Sequence, residues 1–195
     1  MPRTTAFLDR DGVINELVFY KDSEVTDSPL TPGQFRLKKD ALAGIRLLNE
    51  AGVKVIVVSN QPGIAKGKMD MATHDAICAK MRSELHEGGA HLDGEYYCFH
   101  HPDAVLESYR VTCDCRKPKP DLILKAAKGI DADPRSSWMI GDNLSDIEAG
   151  ERAGCQTVLI GDMKCELCRF MKERGIAPDA IAPDLLEAAR IVIGK

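Results

Sequence analysis

Asp9 and Asp11 lie two residues apart, directly after the apolar run of TTAFLD. On an extended backbone, residues i and i+2 point to the same side, so both carboxylates can face one pocket. Two neighbouring carboxylates raise each other's cost of ionisation and call for a cation or a shared proton. Magnesium suits such a pair, because it takes oxygen ligands and binds through one or two carboxylates plus a phosphate. In that setting one aspartate attacks phosphorus and the other handles the leaving-group proton. The plain alternative is a strand end followed by a polar Asp-Gly turn.

Three further groups of residues belong to the same chemistry. Ser59, Asn60 and Gln61 end the run VKVIVV and supply a hydroxyl and two amides, neutral partners for phosphate oxygens. Gly63 and Gly67 would let the following loop approach a ligand closely. Arg116 and Lys117, in CRKPKPD, offer a planar fork and a mobile point charge for a phosphoryl group, with Lys119 a rival for the lysine role. Asp142, in GDNLSD, follows an apolar strand and is placed to ligate a metal. Asp146, one helical turn later, can support the metal or orient Lys117. The same acids also suit capping and dipole roles at the start of a helix over Leu144–Ala153.

A separate cluster reads as a metal clip. Cys98 and His100, then Cys113 and Cys115, form CxH and CxC pairs. Three thiolates and one imidazole fit a closed tetrahedral zinc site, which leaves no open position and is therefore structural. His101 competes for the imidazole role, although CxH mirrors CxC better. The clip would pin the loop from Pro102 to Thr112 and position Arg116 and Lys117. Cys165 and Cys168 form a lone CxxC, read as packing or incidental thiols, with half a metal site or a redox pair as the alternative. Cys78, Cys155 and Trp138 read as core residues.

The elements that must hold these residues alternate strand and helix along the chain. Strands are expected at TTAFLD, VKVIVVSN, GEYYCFH, SWMIG, CQTVLIG and DAIA. Helices are expected over Asp40–Gly52, Met71–His86, Asp121–Gly129, Leu144–Ala153, Met163–Arg174 and Asp184–Ile193. This order predicts an α/β fold, a doubly wound parallel sheet with helices on both faces, in one domain over residues 1–195. Such sheets bind ligands at the carboxyl ends of their strands. The first, second and fourth strands end in LDRD, VVSNQ and MIGDN, so the polar residues gather there.

Composition narrows the classes of function. The 195 residues are 44% hydrophobic and 29% charged, with net charge -4. An acidic chain without a basic, aromatic stripe is not built for nucleic acid. No run approaches the roughly 18 apolar residues of a membrane span. The N-terminus lacks a signal-peptide core, and cytoplasmic residence is the expectation.

The four polar groups, in this order, resemble the motifs of the haloacid dehalogenase (HAD)-like hydrolases, whose core is Rossmann-like. FLDRDGVIN resembles the first motif, SNQ the second, the lysine of RKPKP the third and GDNLSDIEAG the fourth, together covering roughly Thr5 to Ile160. The resemblance implies that Asp9 is the nucleophile and forms an aspartyl-phosphate. It implies that Asp11 is general acid, then base, and gives a backbone carbonyl to magnesium. Ser59 and Lys117 would stabilise the transferring phosphoryl group, with Asn60, Gln61 and Arg116 toward the substrate. Asp142 would complete the magnesium ligands, with Asn143 beside the metal.

An aspartate two residues after the nucleophile is this family's phosphatase pattern, which argues against dehalogenation. CxH followed by CxCRKPKP resembles the zinc-containing subgroup of D,D-heptose 1,7-bisphosphate and histidinol-phosphate phosphatases. The thirteen-residue step from His100 to Cys113 is similar to the longer loop of the heptose enzymes. A small or absent cap is implied, and with it an open site for a small sugar phosphate. Leu17 to Phe35 departs from the short segment typical of the heptose enzymes. Other readings are a histidinol-phosphate phosphatase, a phosphotransferase, or an inactive zinc-clipped sugar-phosphate binder.

Overall fold

The computed structural model describes residues 4–161 and 171–194. In chain order its strands and main helices are β1 (Thr5–Leu8), β2 (Val18–Tyr20), β3 (Val25–Asp27), α1 (Lys39–Glu50), β4 (Lys54–Asn60), α2 (Met71–Glu87), β5 (Gly94–Cys98), α3 (Asp121–Gly129), β6 (Trp138–Gly141), α4 (Leu144–Ala153), β7 (Gln156–Ile160), β8 (Ala180–Ala182) and α5 (Leu185–Val192). The main sheet has six strands in the order β5-β4-β1-β6-β7-β8, and each neighbouring pair is parallel.

Strand period explains how the sheet carries two layers. Ala6 and Leu8 of β1, Val55 and Val57 of β4, and Ile140 of β6 face a cluster with Ile45 of α1, Ile77 and Met81 of α2, and Leu185 of α5. The alternate residues Phe7, Ile56, Val58 and Met139 face the opposite cluster, with Leu122 and Ile123 of α3 and Ala149 of α4. A central strand buried on both faces reads as a continuous apolar run, which is how VKVIVV appears in the sequence. Each of the larger side chains contributes about 1.5–3 kcal/mol on burial, so β1 and β4 give a site firmly packed supports.

From β1 the chain moves outward to β4 and β5, then returns to the other side of β1 at β6. A crevice forms where the direction reverses, and the carboxyl ends of β1, β4 and β6 meet there.

Two differences from the sequence reading stand out. The segment 17–35, left without elements, holds the antiparallel hairpin β2–β3, registered Val18 to Asp27 and Tyr20 to Val25. Glu24 in its turn has φ 53. The hairpin is tied back to the body by the Lys68 ammonium, 2.6 Å from Asp27, and its base is closed by the Tyr20 hydroxyl, which donates to the Ser28 carbonyl at 2.8 Å. The Lys68 tie, 41 residues away in sequence, is not visible as local periodicity. The expected helix at Met163–Arg174 falls mostly outside the described residues, as do Cys165 and Cys168. Cys78 and Cys155 are buried, and Trp138 packs partly exposed against the core. No described helix is long and apolar enough to cross a membrane.

Candidate active site and metal clip

Asp9 extends the β1 ladder by one residue, its amide donating to the Ile140 carbonyl at 3.0 Å. The chain then turns through Gly12, at φ 82. A Cβ at Gly12 would lie 1.9 Å from Asp142 Oδ2, so only glycine lets the Asp142 side chain lie across the β1 loop. Asp142 itself directly follows β6. Asp146 sits in the first turn of α4, fully buried. Asn143 and Asp146 form a capping box, with Asn143 Oδ1 accepting from the Ser145 amide at 3.1 Å and Asp146 Oδ2 accepting from the Asn143 amide at 3.1 Å. Ligand oxygens of Asp9, Asp142 and Asp146 lie within 4.8 Å of one another.

Lys117 enters this cluster from the opposite side. Its ammonium is 3.0 Å from Asp9 Oδ1 and 2.6 Å from Asp146 Oδ1, and donates to the Val58 carbonyl at 2.9 Å. Burial works against its charge, but Asp146 and Asp9 outweigh burial and hold its pKa above that of an ordinary lysine. Asn60 sets the Lys117 backbone: its side chain donates to the Lys117 carbonyl at 3.0 Å and accepts from the Lys117 amide at 3.1 Å. Lys119 instead pairs with Asp114 at the surface, 2.6 Å away, which removes it from the lysine role.

Asp142 carries the cluster's strain. Burial first, then the Asp9 and Asp146 carboxylates, push its carboxyl up to about 7. Three acids facing one ammonium leave an excess of negative charge in an all-oxygen setting, which fits a hard divalent cation.

A cavity of about 290 Å³ opens over these groups. Asp9, Asp11, Asn60, Arg116, Lys117, Asp142 and Asn143 line it, together with Thr26, Asp27 and Ser28 from the end of the hairpin. Ser59 and Gln61 lie behind it, each only 1% exposed. Gln61 Nε2 donates to Ser59 Oγ at 3.1 Å and to Asp11 Oδ2 at 2.6 Å, so its amide faces the protein. Sequence reasoning missed the hairpin wall and Arg10. The signal for Arg10 was a charged residue one position out of phase with Asp9 and Asp11, hence aimed into the core.

The clip forms where β5 ends. Sγ–Sγ distances are 3.6 Å for Cys98–Cys113, 3.3 Å for Cys98–Cys115 and 3.2 Å for Cys113–Cys115. His100 Nδ1 is 3.6 Å from Cys115 Sγ and 4.0 Å from Cys98 Sγ. Tetrahedral bonds of about 2.3 Å to sulfur and about 2.0 Å to nitrogen imply S–S edges of about 3.8 Å and S–N edges of about 3.5 Å, so the thiols sit within about 0.6 Å of the spacing a metal would set. The cysteines are free thiols, so a metal rather than a disulfide suits the spacing. The neighbouring His101 accepts from the Asp103 amide at 3.1 Å instead of joining the cluster. The clip touches the site at two points: Cys98 O accepts from the Gln61 backbone N–H at 2.7 Å, and His100 O accepts from Arg116 Nη1 at 3.3 Å.

Comparison with known proteins gives this geometry its family. The HAD-hydrolase-like family model matches residues 114–188. D-glycero-beta-D-manno-heptose-1,7-bisphosphate 7-phosphatase of Rhodopseudomonas palustris is 41% identical over 152 residues, 78% of this chain and 80% of that protein. The D-glycero-alpha-D-manno-heptose-1,7-bisphosphate 7-phosphatase of Photorhabdus laumondii is 36% identical over 76% of this chain and 77% of that protein. The crystal structure of D,D-heptose 1,7-bisphosphate phosphatase from B. bronchiseptica, complexed with magnesium and phosphate, superposes with a TM-score of 0.80 at 29% identity, covering 98% of both chains. The chain belongs to the HAD-like hydrolases, in the family of the heptose bisphosphate phosphatases.

Proposed function

We propose that this chain hydrolyses the 7-phosphate of a D-glycero-D-manno-heptose 1,7-bisphosphate, with magnesium at the strand-tip acids and structural zinc in the Cys98–His100–Cys113–Cys115 clip. The observation that carries the reading is the meeting of Asp9, Asp142 and Lys117 on one small, polar cavity. Cysteines placed as metal ligands rather than as disulfide partners suit a reducing compartment, so the site of action in this proposal is the cytoplasm.

In this reading an Asp9 carboxylate oxygen attacks phosphorus, a new O–P bond forms, and the bond from phosphorus to the sugar oxygen breaks. Asp11 gives that oxygen its proton. It then takes a proton from the water that cleaves the Asp9 acyl phosphate, which restores both carboxyl groups. Lys117, which lines the cavity, offsets charge on the phosphoryl oxygens. Asp9, Asp142, Asn143 and the Asp11 carbonyl would hold magnesium, which supplies further charge neutralisation there. Arg116, which lines the same cavity, suits the substrate's second phosphate.

The raised Asp142 carboxyl gives a test of the metal site without turnover. Its folded pKa of about 7 exceeds the ordinary 3.8, so the metal-free fold loses stability as pH rises through that interval. A bound cation relieves this loss, and protons compete with it at low pH. The rise in melting temperature on adding magnesium is therefore expected to grow between about pH 5 and pH 8. Asp142→Asn should flatten that trend. A magnesium shift that ignores pH, or that survives in Asp142→Asn, counts against the site.

The function itself is tested by phosphate release from the alpha and beta anomers of the bisphosphate, heptose monophosphates, other sugar phosphates and histidinol phosphate. The expected result is a preference for a heptose bisphosphate with magnesium. Preference for histidinol phosphate, or no turnover of any sugar phosphate, overturns the reading.

A further inference from the structure

Arg10 is fully buried between the two acids of the β1 loop, where a guanidinium is costly unless paired. Its Nη2 donates to Asp11 Oδ1 and Oδ2, both at 3.1 Å, and its Nε to Asp11 Oδ1 at 3.2 Å. Gln61 closes the arrangement. Its Oε1 accepts from Arg10 Nη2 at 2.7 Å while its Nε2 donates to Asp11 Oδ2 at 2.6 Å. Asn15 Nδ2 reaches Asp11 Oδ1 at 3.0 Å. Behind this ring, Arg10 lies over the Tyr97 ring at 5.9 Å, and its Nη1 is 3.9 Å from Cys78 Sγ.

Neither Arg10 nor Gln61 lines the cavity, whereas Asp11 does. A side chain with no path to substrate that fixes both oxygens of one cavity-lining carboxylate has its effect through that carboxylate. The Gln61 main chain is also braced from outside, because its backbone N–H donates to Cys98 O at the head of the clip.

We propose that Arg10 and Gln61 are positioning residues: a buried guanidinium–amide clamp that sets the direction of the Asp11 carboxylate. The proposal rests on the reading of Asp11 as the proton-transfer group. Proton transfer needs heavy atoms within hydrogen-bond reach, and a displacement of about 1 Å costs about 10²-fold. Asp11 lies in the loop beyond β1, and the clamp holds both of its carboxylate oxygens before substrate arrives.

The test separates a clamp from general support of the fold. Arg10→Met keeps volume and removes the fork; Gln61→Met, which removes the amide, serves if Arg10→Met does not fold. On the sugar phosphate, Arg10→Met is expected to lower kcat about 30- to 100-fold with KM within about 2-fold. On p-nitrophenyl phosphate the first-turnover release of nitrophenolate, which leaves unprotonated, should fall less than about 3-fold. In an Asp11→Asn background, Arg10→Met should add less than about 2-fold, because its target is already gone.

Arg10→Lys, which keeps the charge, should recover part of the loss. Equal losses on the two substrates, or multiplicative losses in the Asp11→Asn background, overturn the clamp while leaving the phosphatase reading intact. Parent-level turnover by Asp11→Asn alone removes the acid–base reading, and the clamp with it.

Discussion

Asp9→Asn is expected to leave a folded chain with sugar-phosphate turnover reduced at least about 10⁴-fold, about 5 kcal/mol in the barrier. The carboxylate oxygen is the group that bonds to phosphorus in this mechanism, and a neutral amide is a poor substitute for it. The geometry explains why folding should survive. Asp9 side-chain contacts are the Lys117 ammonium and the Arg10 amide at 2.8 Å, and an asparagine oxygen can accept from both. Lys117 also keeps Asp146 and the Val58 carbonyl. The checks are phosphate release, melting temperature and trapping of an acyl phosphate after mixing with substrate. The parent should yield the trapped species and the variant should not. Turnover near the parent level in Asp9→Asn would remove the nucleophile and the mechanism built on it.

The strands and helices were legible because their causes are local. VKVIVV is continuous and β-branched because β4 is buried on both faces, and Leu144–Ala153 opens with its own capping box. The strand-tip acids were legible because an open parallel sheet concentrates polar residues where β1, β4 and β6 end. What local pattern did not carry was the direction of each side chain. Gln61 reads as a phosphate donor from its place after β4, yet its amide turns inward to Asp11 and Ser59. Period two gives Arg10 an inward direction but not its partner. The β2–β3 hairpin is held by Lys68 and the Tyr20 hydroxyl, contacts spanning up to 41 residues, so its short strands carry little signal of their own.

Loss of the zinc clip is the second large effect, and it should reach both stability and turnover. Native protein is expected to hold about one zinc per chain, since a Cys₃His set is complete with four ligands. Cys113→Ser should lose that zinc and lower the melting temperature by about 6–12 °C, corresponding to about 3 kcal/mol in a chain of this size. That is a modest fraction of the ~10–16 kcal/mol that structural zinc supplies in small peptides, because the sheet and its helices here fold around their own core. Without the metal, three thiols within 3.6 Å of one another have no common partner, and the loop between His100 and Cys113 loses its anchor.

That loop leads directly into Arg116 and Lys117. His100 O holds Arg116, and Cys98 O holds the Gln61 amide, so release of the clip disturbs the cavity from two sides. Turnover should fall about 10-fold or more while magnesium still raises the melting temperature, since Asp9 and Asp142 stand on β1 and β6 rather than on the clip. Metal analysis, melting and kinetics on the same preparation check the three parts together. A native chain without zinc that melts and turns over as Cys113→Ser does would show that the four side chains meet without a structural metal between them.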